Sequence, residues 1–183
     1  MDMIQAKSIS QWIKLYRLYR QAFPRYERKP FFLIHSMQKK GKSDVWYFEK
    51  DNKFAGLAIT INGKDIILLD YLAIVKDKRG QGIGSEILHK LQSHYGDKGL
   101  LIEIESVYKN AKNLSERRRR KEFYLKNGMV CMNVMVNLFG VEMELLGANC
   151  QVTYEEYYSL YQDNFGKFIT KRISKARHPY ENA

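Results

Sequence analysis

Cysteine and proline are scarce in this chain: two cysteines, Cys131 and Cys150, and three prolines in 183 residues. Two thiols cannot build a disulfide framework, and neither stands at metal-ligand spacing. Of the four histidines only His89 and His94 are close, and a five-residue step turns them apart on a helix. No metal site is expected. The few prolines, with 45% hydrophobic and 13% aromatic residues, exclude a disordered chain. No apolar run nears the roughly 20 residues that span a bilayer. The stretch "MDMIQAKSIS" lacks the basic and apolar regions of a secretion signal. The expectation is a cytoplasmic protein without a membrane partner. Linkers, repeats and low-complexity segments are missing too, so one domain over 1–183 is the simplest organisation.

What the chain has is positive charge. Thirty-one lysines and arginines against 20 aspartates and glutamates give a net +11. That surplus points to a polyanionic partner, either a nucleic acid or a small phosphorylated cofactor. Much of it is local, in "ERRRRK" at 116–121 and "KRISKAR" at 171–177. The run Arg117 to Arg120 spreads over a whole helix circumference. One or two of its arginines can face a ligand, and the rest read as a solvated face. Nucleic acid is not the expected partner.

Periodicity gives the elements. "MIQAKSI" reads as a short strand, and "SQWIKLYRLYRQAF" as a helix with Trp12, Leu15, Tyr16, Tyr19 and Phe23 on one stripe, ended by Pro24. "KPFFLIHSMQKKG" reads as a second helix. "DVWYFEK" and "KFAGLAITI" form a hairpin across "DN", and "NGKD" leads into the strand "IILLDYLAIV". After the glycines at 80, 82 and 84, Ile83, Ile87, Leu88 and Leu91 share a helix face, and "LLIEIESV" is the next strand. A strand, helix and strand of this length imply a parallel pair. "NLSERRRRKEFYLKNG" is a helix closed at Asn127–Gly128. Two strands then join at Phe139–Gly140. The tail "TYEEYYSLYQDNFGKFITKRISKA" opens on a Thr153/Glu156 capping box and reads as one or two terminal helices. Its tyrosines 154, 157, 158 and 161 at helical spacing read as packing or a dimer contact rather than a base-stacking platform. The sum is an α/β (α+β) fold with a central mixed sheet flanked by helices.

The junction "DYLAIVKDKRGQGIGSEIL" holds three glycines at alternate positions between a strand and a helix. Such a turn lets the backbone approach a phosphate, with helix-start amides and the helix dipole favouring the anion. A P-loop needs a Gly-Lys-Ser/Thr ending, which is absent. A dinucleotide fingerprint wants G-x-G-x-x-G directly after the first strand of a βαβ unit. Here the spacing is G-x-G-x-G, after a long antiparallel lead-in, although Glu103 and Glu105 fall where a ribose-binding acid would sit. An ordinary tight turn would need fewer glycines.

A third pattern fits residue by residue. "LAIVKDKRGQGIGSEIL" resembles the acyl-CoA signature of the GNAT N-acetyltransferase superfamily, R/Q-x-x-G-x-G/A, with Arg79, Gly82 and Gly84 in the fixed positions. "FYLKNGM" at 123–129 resembles the family's second marker, with Met129 where a phenylalanine is usual. The likeness covers about residues 55 to 140. It implies a GNAT-like acyl-CoA N-acyltransferase fold and acetyl-CoA as cosubstrate. Arg79, Gly80, Gln81, Gly82, Ile83, Gly84 and Ser85 would hold the diphosphate. The backbone of Leu72, Ala73 and Ile74 would pair with pantetheine as a pseudo-strand on an edge splayed from its neighbour. A backbone N–H there would stabilise the oxyanion. Tyr124 matches the family tyrosine that protonates the departing thiolate or hydrogen-bonds its sulfur; a plain core tyrosine is the other reading. An acceptor ammonium must lose a proton before attack. Asp70 shares a strand face with Leu72, near where several members carry a base, and Glu105 and Glu103 are rivals on the neighbouring strand.

The expected activity is transfer of acetyl from acetyl-CoA to a primary amine of a small molecule, by direct attack in a ternary complex. A peptide or protein amine is the alternative acceptor. A non-catalytic acyl-CoA-binding or RNA-binding module is the rival class. The expected state is monomer or homodimer.

Overall fold

Ser8 and Gln11 set the first helix boundary. The Ser8 hydroxyl accepts from the Gln11 amide, and the Gln11 side chain accepts from the Ser8 amide. The computed structural model describes residues 1–108 and 111–177. Along them lie β1 (Asp2–Gln5), α1 (Ile9–Ala22), α2 (Phe31–Lys39), β2 (Ser43–Lys50), β3 (Lys53–Asn62), β4 (Ile66–Ile74), α3 (Ile83–His94) and β5 (Gly99–Glu105). There follow α4 (Leu114–Lys126), β6 (Val130–Leu138), β7 (Val141–Ala148), α5 (Tyr154–Phe165), α6 (Lys167–Thr170) and β8 (Ile173–Ala176). Two compact units form: Met1–Asn62 with Leu69–His94, and Gly63–Leu68 with the chain from Tyr95 onward.

In the first unit β1, β2, β3 and the later part of β4 are neighbours in that order, β2 pairing antiparallel with both β1 and β3. Asp51 and Asn52 both sit at left-handed φ, 53° and 57°, giving the hairpin the primed turn that matches strand twist. The core joins Leu15, Leu18 and Tyr19 of α1 to Val45, Tyr47, Leu57, Ile59, Tyr71 and Ala73. Leu18 replaces Tyr16 on the expected stripe. Tyr16 is 42% exposed, its ring against Phe31 and beneath the Arg20 guanidinium, so its hydroxyl stays wet. The α3 face is as read, with Ile83, Ile87, Leu88 and Leu91 all buried. Gly56 is required where β3 passes β4, since a Cβ there would lie 2.7 Å from the Ala73 carbonyl oxygen.

In the second unit Ile66–Leu68 pair parallel with Gly99–Leu101, and that ladder ends there. Antiparallel pairing of β5 with β7, β7 with β6 and β6 with β8 completes the order β4-β5-β7-β6-β8. The sheet is therefore mixed, as expected. Phe139 and Gly140, at φ 53° and 89°, make the β6–β7 turn. Gly128 at φ 82° closes α4, where the Met129 amide donates to the Tyr124 carbonyl. The Thr153/Glu156 box caps α5, and Tyr157 and Tyr161 are buried, so they pack rather than present a platform. A second expectation fails. Ile173–Ala176 continue the tail as a strand on β6, not as a helix, because the β6 edge takes up their backbone and seats Ile173 in the core while Ser174 and Lys175 stay exposed. The Cys150 side chain sits over Gly99 and Gly147, where added Cβ atoms would lie 2.0 and 2.7 Å from its atoms. Among the described residues no helix is long and apolar enough to cross a membrane.

Candidate active site

The glycine turn follows β4 through a 3-10 turn at Lys76–Lys78. Gly80 and Gly82 both hold φ +75°, and no atom lies within 4 Å of where their Cβ would be. These positions favour glycine for conformation rather than for space, and they keep side chains off the turn. Gly82 O accepts from the Glu86 amide as α3 starts. Among the described residues the N–H groups of Gly80, Gln81, Gly82, Ile83, Gly84 and Ser85 donate to no protein acceptor. Unsatisfied donors at the head of a 12-residue helix suit an anion. Arg79 is exposed and its Nε donates 3.0 Å to the Ile74 carbonyl, so the guanidinium is tethered beside the turn.

On β4, Asp70, Leu72 and Ile74 are half-buried while Tyr71 and Ala73 between them are buried. Parity thus puts Asp70 on the face of Leu72, as read. Asp70 already has a partner. Lys29 Nζ lies 2.6 and 2.7 Å from its two carboxylate oxygens, and the Asp70 side chain is only 7% exposed. Lys29 is held there by backbone contacts. The Tyr71 hydroxyl donates to Glu27 O and accepts from the Lys29 amide, and the Tyr19 hydroxyl donates to Lys29 O. Burial pushes the Tyr19 hydroxyl up to about 12 and raises Tyr71 well above the ordinary tyrosine value, with the Asp70 charge adding to both.

In the second unit each predicted carboxylate is also engaged. Glu103 Oε1 accepts from the Tyr157 and Tyr161 hydroxyls at 2.7 and 2.8 Å. Glu105 receives Arg117 Nη2 at 2.8 Å and the Asn113 amide at 3.3 Å. Arg117 also donates to Ser106 O and Asn113 Oδ1, so one member of the arginine run is structural and not solvated. Glu144, 5% exposed, takes Lys121 Nζ and the Val107 amide. Tyr124 on α4 is half-buried, and its hydroxyl has no hydrogen bond among the described residues. Desolvation raises it to about 12, the Arg120 charge opposing. A hydroxyl so placed keeps its proton through neutral pH.

The sequence does not reveal Lys29, since nothing local ties it to a partner 41 residues away. It shows Tyr157 and Tyr161 as a stripe but not the carboxylate beneath them. The Asn113–Arg117 bond is visible in principle as an i, i+4 pair. Among the described residues no cluster of three metal-ligating side chains occurs.

Comparison with known proteins joins these observations. Residues 41–129 match the family model described as an acetyltransferase (GNAT) domain. Over 97 residues the chain is 30% identical to YjbC of Bacillus subtilis (strain 168), which carries an acetyltransferase name. That match covers 53% of this chain and 48% of YjbC, so the chain spans about half the length of the curated relative it matches. A GNAT-family structure from Bacteroides thetaiotaomicron superposes with a TM-score of 0.76 at 14% identity, over 91% of this chain and 99% of that one. An aminoglycoside 6'-N-acetyltransferase complexed with coenzyme A gives 0.65 at 13% identity, over 80% and 96%. The fold is the GNAT fold. The Arg79-x-x-Gly82-x-Gly84 turn lies inside residues 41–129, the part of the chain that matches the GNAT acetyltransferase domain.

Proposed function

We propose that this chain is an acetyl-CoA-dependent N-acetyltransferase acting on a primary amine of a small molecule. The observation that carries the reading is the turn from Gly80 to Ser85, whose amides lack protein acceptors under two left-handed glycines. These residues fit a diphosphate, with the exposed Arg79 adding charge at the same place. The backbone of Leu72, Ala73 and Ile74 is assigned to the pantetheine arm, and an amide of that strand to the thioester oxygen. When bound, acetyl-CoA supplies the activated acetyl group.

Asp70 is assigned as the base that takes a proton from the acceptor ammonium. It is preferred over Glu105, which is held by a guanidinium that never deprotonates. It is also preferred over Glu103, one oxygen of which receives two tyrosine hydroxyls. The partner of Asp70 is itself a primary ammonium, the group an amine acceptor would present. Tyr124, protonated at neutral pH, is assigned as the donor of a proton to the leaving thiolate. A small-molecule acceptor is supported by the shared fold of the aminoglycoside enzyme and by the carboxylates of Asp70, Glu103 and Glu105.

Thiol release from acetyl-CoA, screened over a polyamine, an aminoglycoside and a peptide amine, tests the proposal. Turnover with a small amine, lost in Gly82→Val together with coenzyme A binding, is the expected result. Coenzyme A binding without turnover of any amine would leave a binding module instead.

A further inference from the structure

We infer that the chain acetylates itself at Lys29; the inference rests on the acetyltransferase reading above. Four observations within the first unit carry it. Lys29 presents a primary amine to both oxygens of Asp70, at 2.6 and 2.7 Å. Asp70 precedes Leu72 by two residues on one strand face, which at the usual rise is about 7 Å along the strand. The backbone carrying Lys29 is fixed by the Tyr19 and Tyr71 hydroxyls, so the amine is delivered to this carboxylate by construction. The side chain retains 25% exposure, leaving it room to turn toward the Leu72–Ile74 edge.

The reaction balances with acetyl-CoA as the only co-reactant. Asp70 accepts a proton from the Lys29 ammonium, and the freed Nζ lone pair attacks the thioester carbonyl carbon. A C–N bond forms, the C–S bond breaks, and the second proton lost by the attacking nitrogen ends on the departing thiolate as free coenzyme A, while Asp70 releases its own proton to solvent. The product is an Nε-acetyl-lysine without charge, which can no longer form the ion pair with Asp70.

Chemical reactivity in water argues for a different target. Lys64 is exposed and would be modified by acetyl-CoA in solution before Lys29. Preference for Lys29 would therefore report the site and not solvent access.

The full chain is incubated with acetyl-CoA alone, digested, and each lysine's acetylation is followed by mass spectrometry. The same preparation is assayed for amine turnover. Acetylation of Lys29 is expected to outpace that of Lys64 by about tenfold or more, and to fall by a similar factor in Asp70→Asn and in Gly82→Val. Circular dichroism checks that each variant is folded, and Gly82→Val serves if Asp70→Asn is not. Amine turnover with Lys29 unmodified would overturn this inference while sparing the enzyme. Modification of Lys29 at equal rates in Gly82→Val would overturn it as spontaneous chemistry. No turnover of any amine and no modification would sink the acetyltransferase reading itself.

Discussion

A carboxylate that holds an ammonium before any substrate arrives is an unusual starting point for a base, and Asp70 is in that position. An incoming amine must displace Lys29 or wait for its charge to be removed. Asp70→Asn is expected to lower the rate at pH 7 by about a hundredfold, within the usual range for a positioned base. The loss should shrink as pH rises toward about 10, where a free amine no longer needs a base. A pH–rate profile of the two proteins checks this. Tyr124→Phe should lower kcat by about a hundredfold with coenzyme A binding retained, as measured by titration calorimetry. Unchanged kcat would leave Tyr124 a packing residue. At this scale strand parity placed Asp70 on the face of Leu72 but did not choose it over Glu103 or Glu105. Lys29 was not legible, because its approach depends on two tyrosine hydroxyls holding a loop far away in sequence.

The elements that carry these residues were legible wherever periodicity was strong. The α3 stripe is buried as read, and the turns at Asp51–Asn52, Asn127–Gly128 and Phe139–Gly140 are where their residue types require. Two readings failed where a local rule had a competitor. Tyr16 fits the helical period, yet its hydroxyl is better left in water than buried without a partner. Ile173–Ala176 are too short to carry a period of their own, and an available edge on β6 decided the matter. Close approach at Gly56 gives a test at this scale. Gly56→Ala would press a methyl onto the Ala73 carbonyl, and a loss of about 1–3 kcal/mol is expected in urea unfolding. Tyr71→Phe removes the bonds to Glu27 and Lys29, and about 1–2 kcal/mol should go with them.

For the whole chain, raised tyrosines, Tyr19 and Tyr71 above all, set an alkaline limit. Tyr19 and Tyr71 keep their protons when folded at a pH where an unfolded tyrosine, near pKa 10, has lost its own. Their contribution is complete below about pH 10 and falls as pH rises from there, through about 12 for Tyr19 and beyond it for Tyr71, by up to about 1.4 kcal/mol per unit for each. Urea midpoints should be flat from neutral pH to about 9 and drop beyond 10. The charge of +11 has its own test. If it served a nucleic acid, affinity would fall steeply with salt, whereas coenzyme A affinity should fall much less.

Cys131 is exposed, whereas the Cys150 sulfur is set against Gly99 and Gly147 and its thiol is raised by desolvation. A thiol-selective reagent should therefore consume one equivalent at once and a second slowly, at the pace at which this corner of the sheet loosens. The chain thus carries its own two-speed gauge of breathing, readable without any added label.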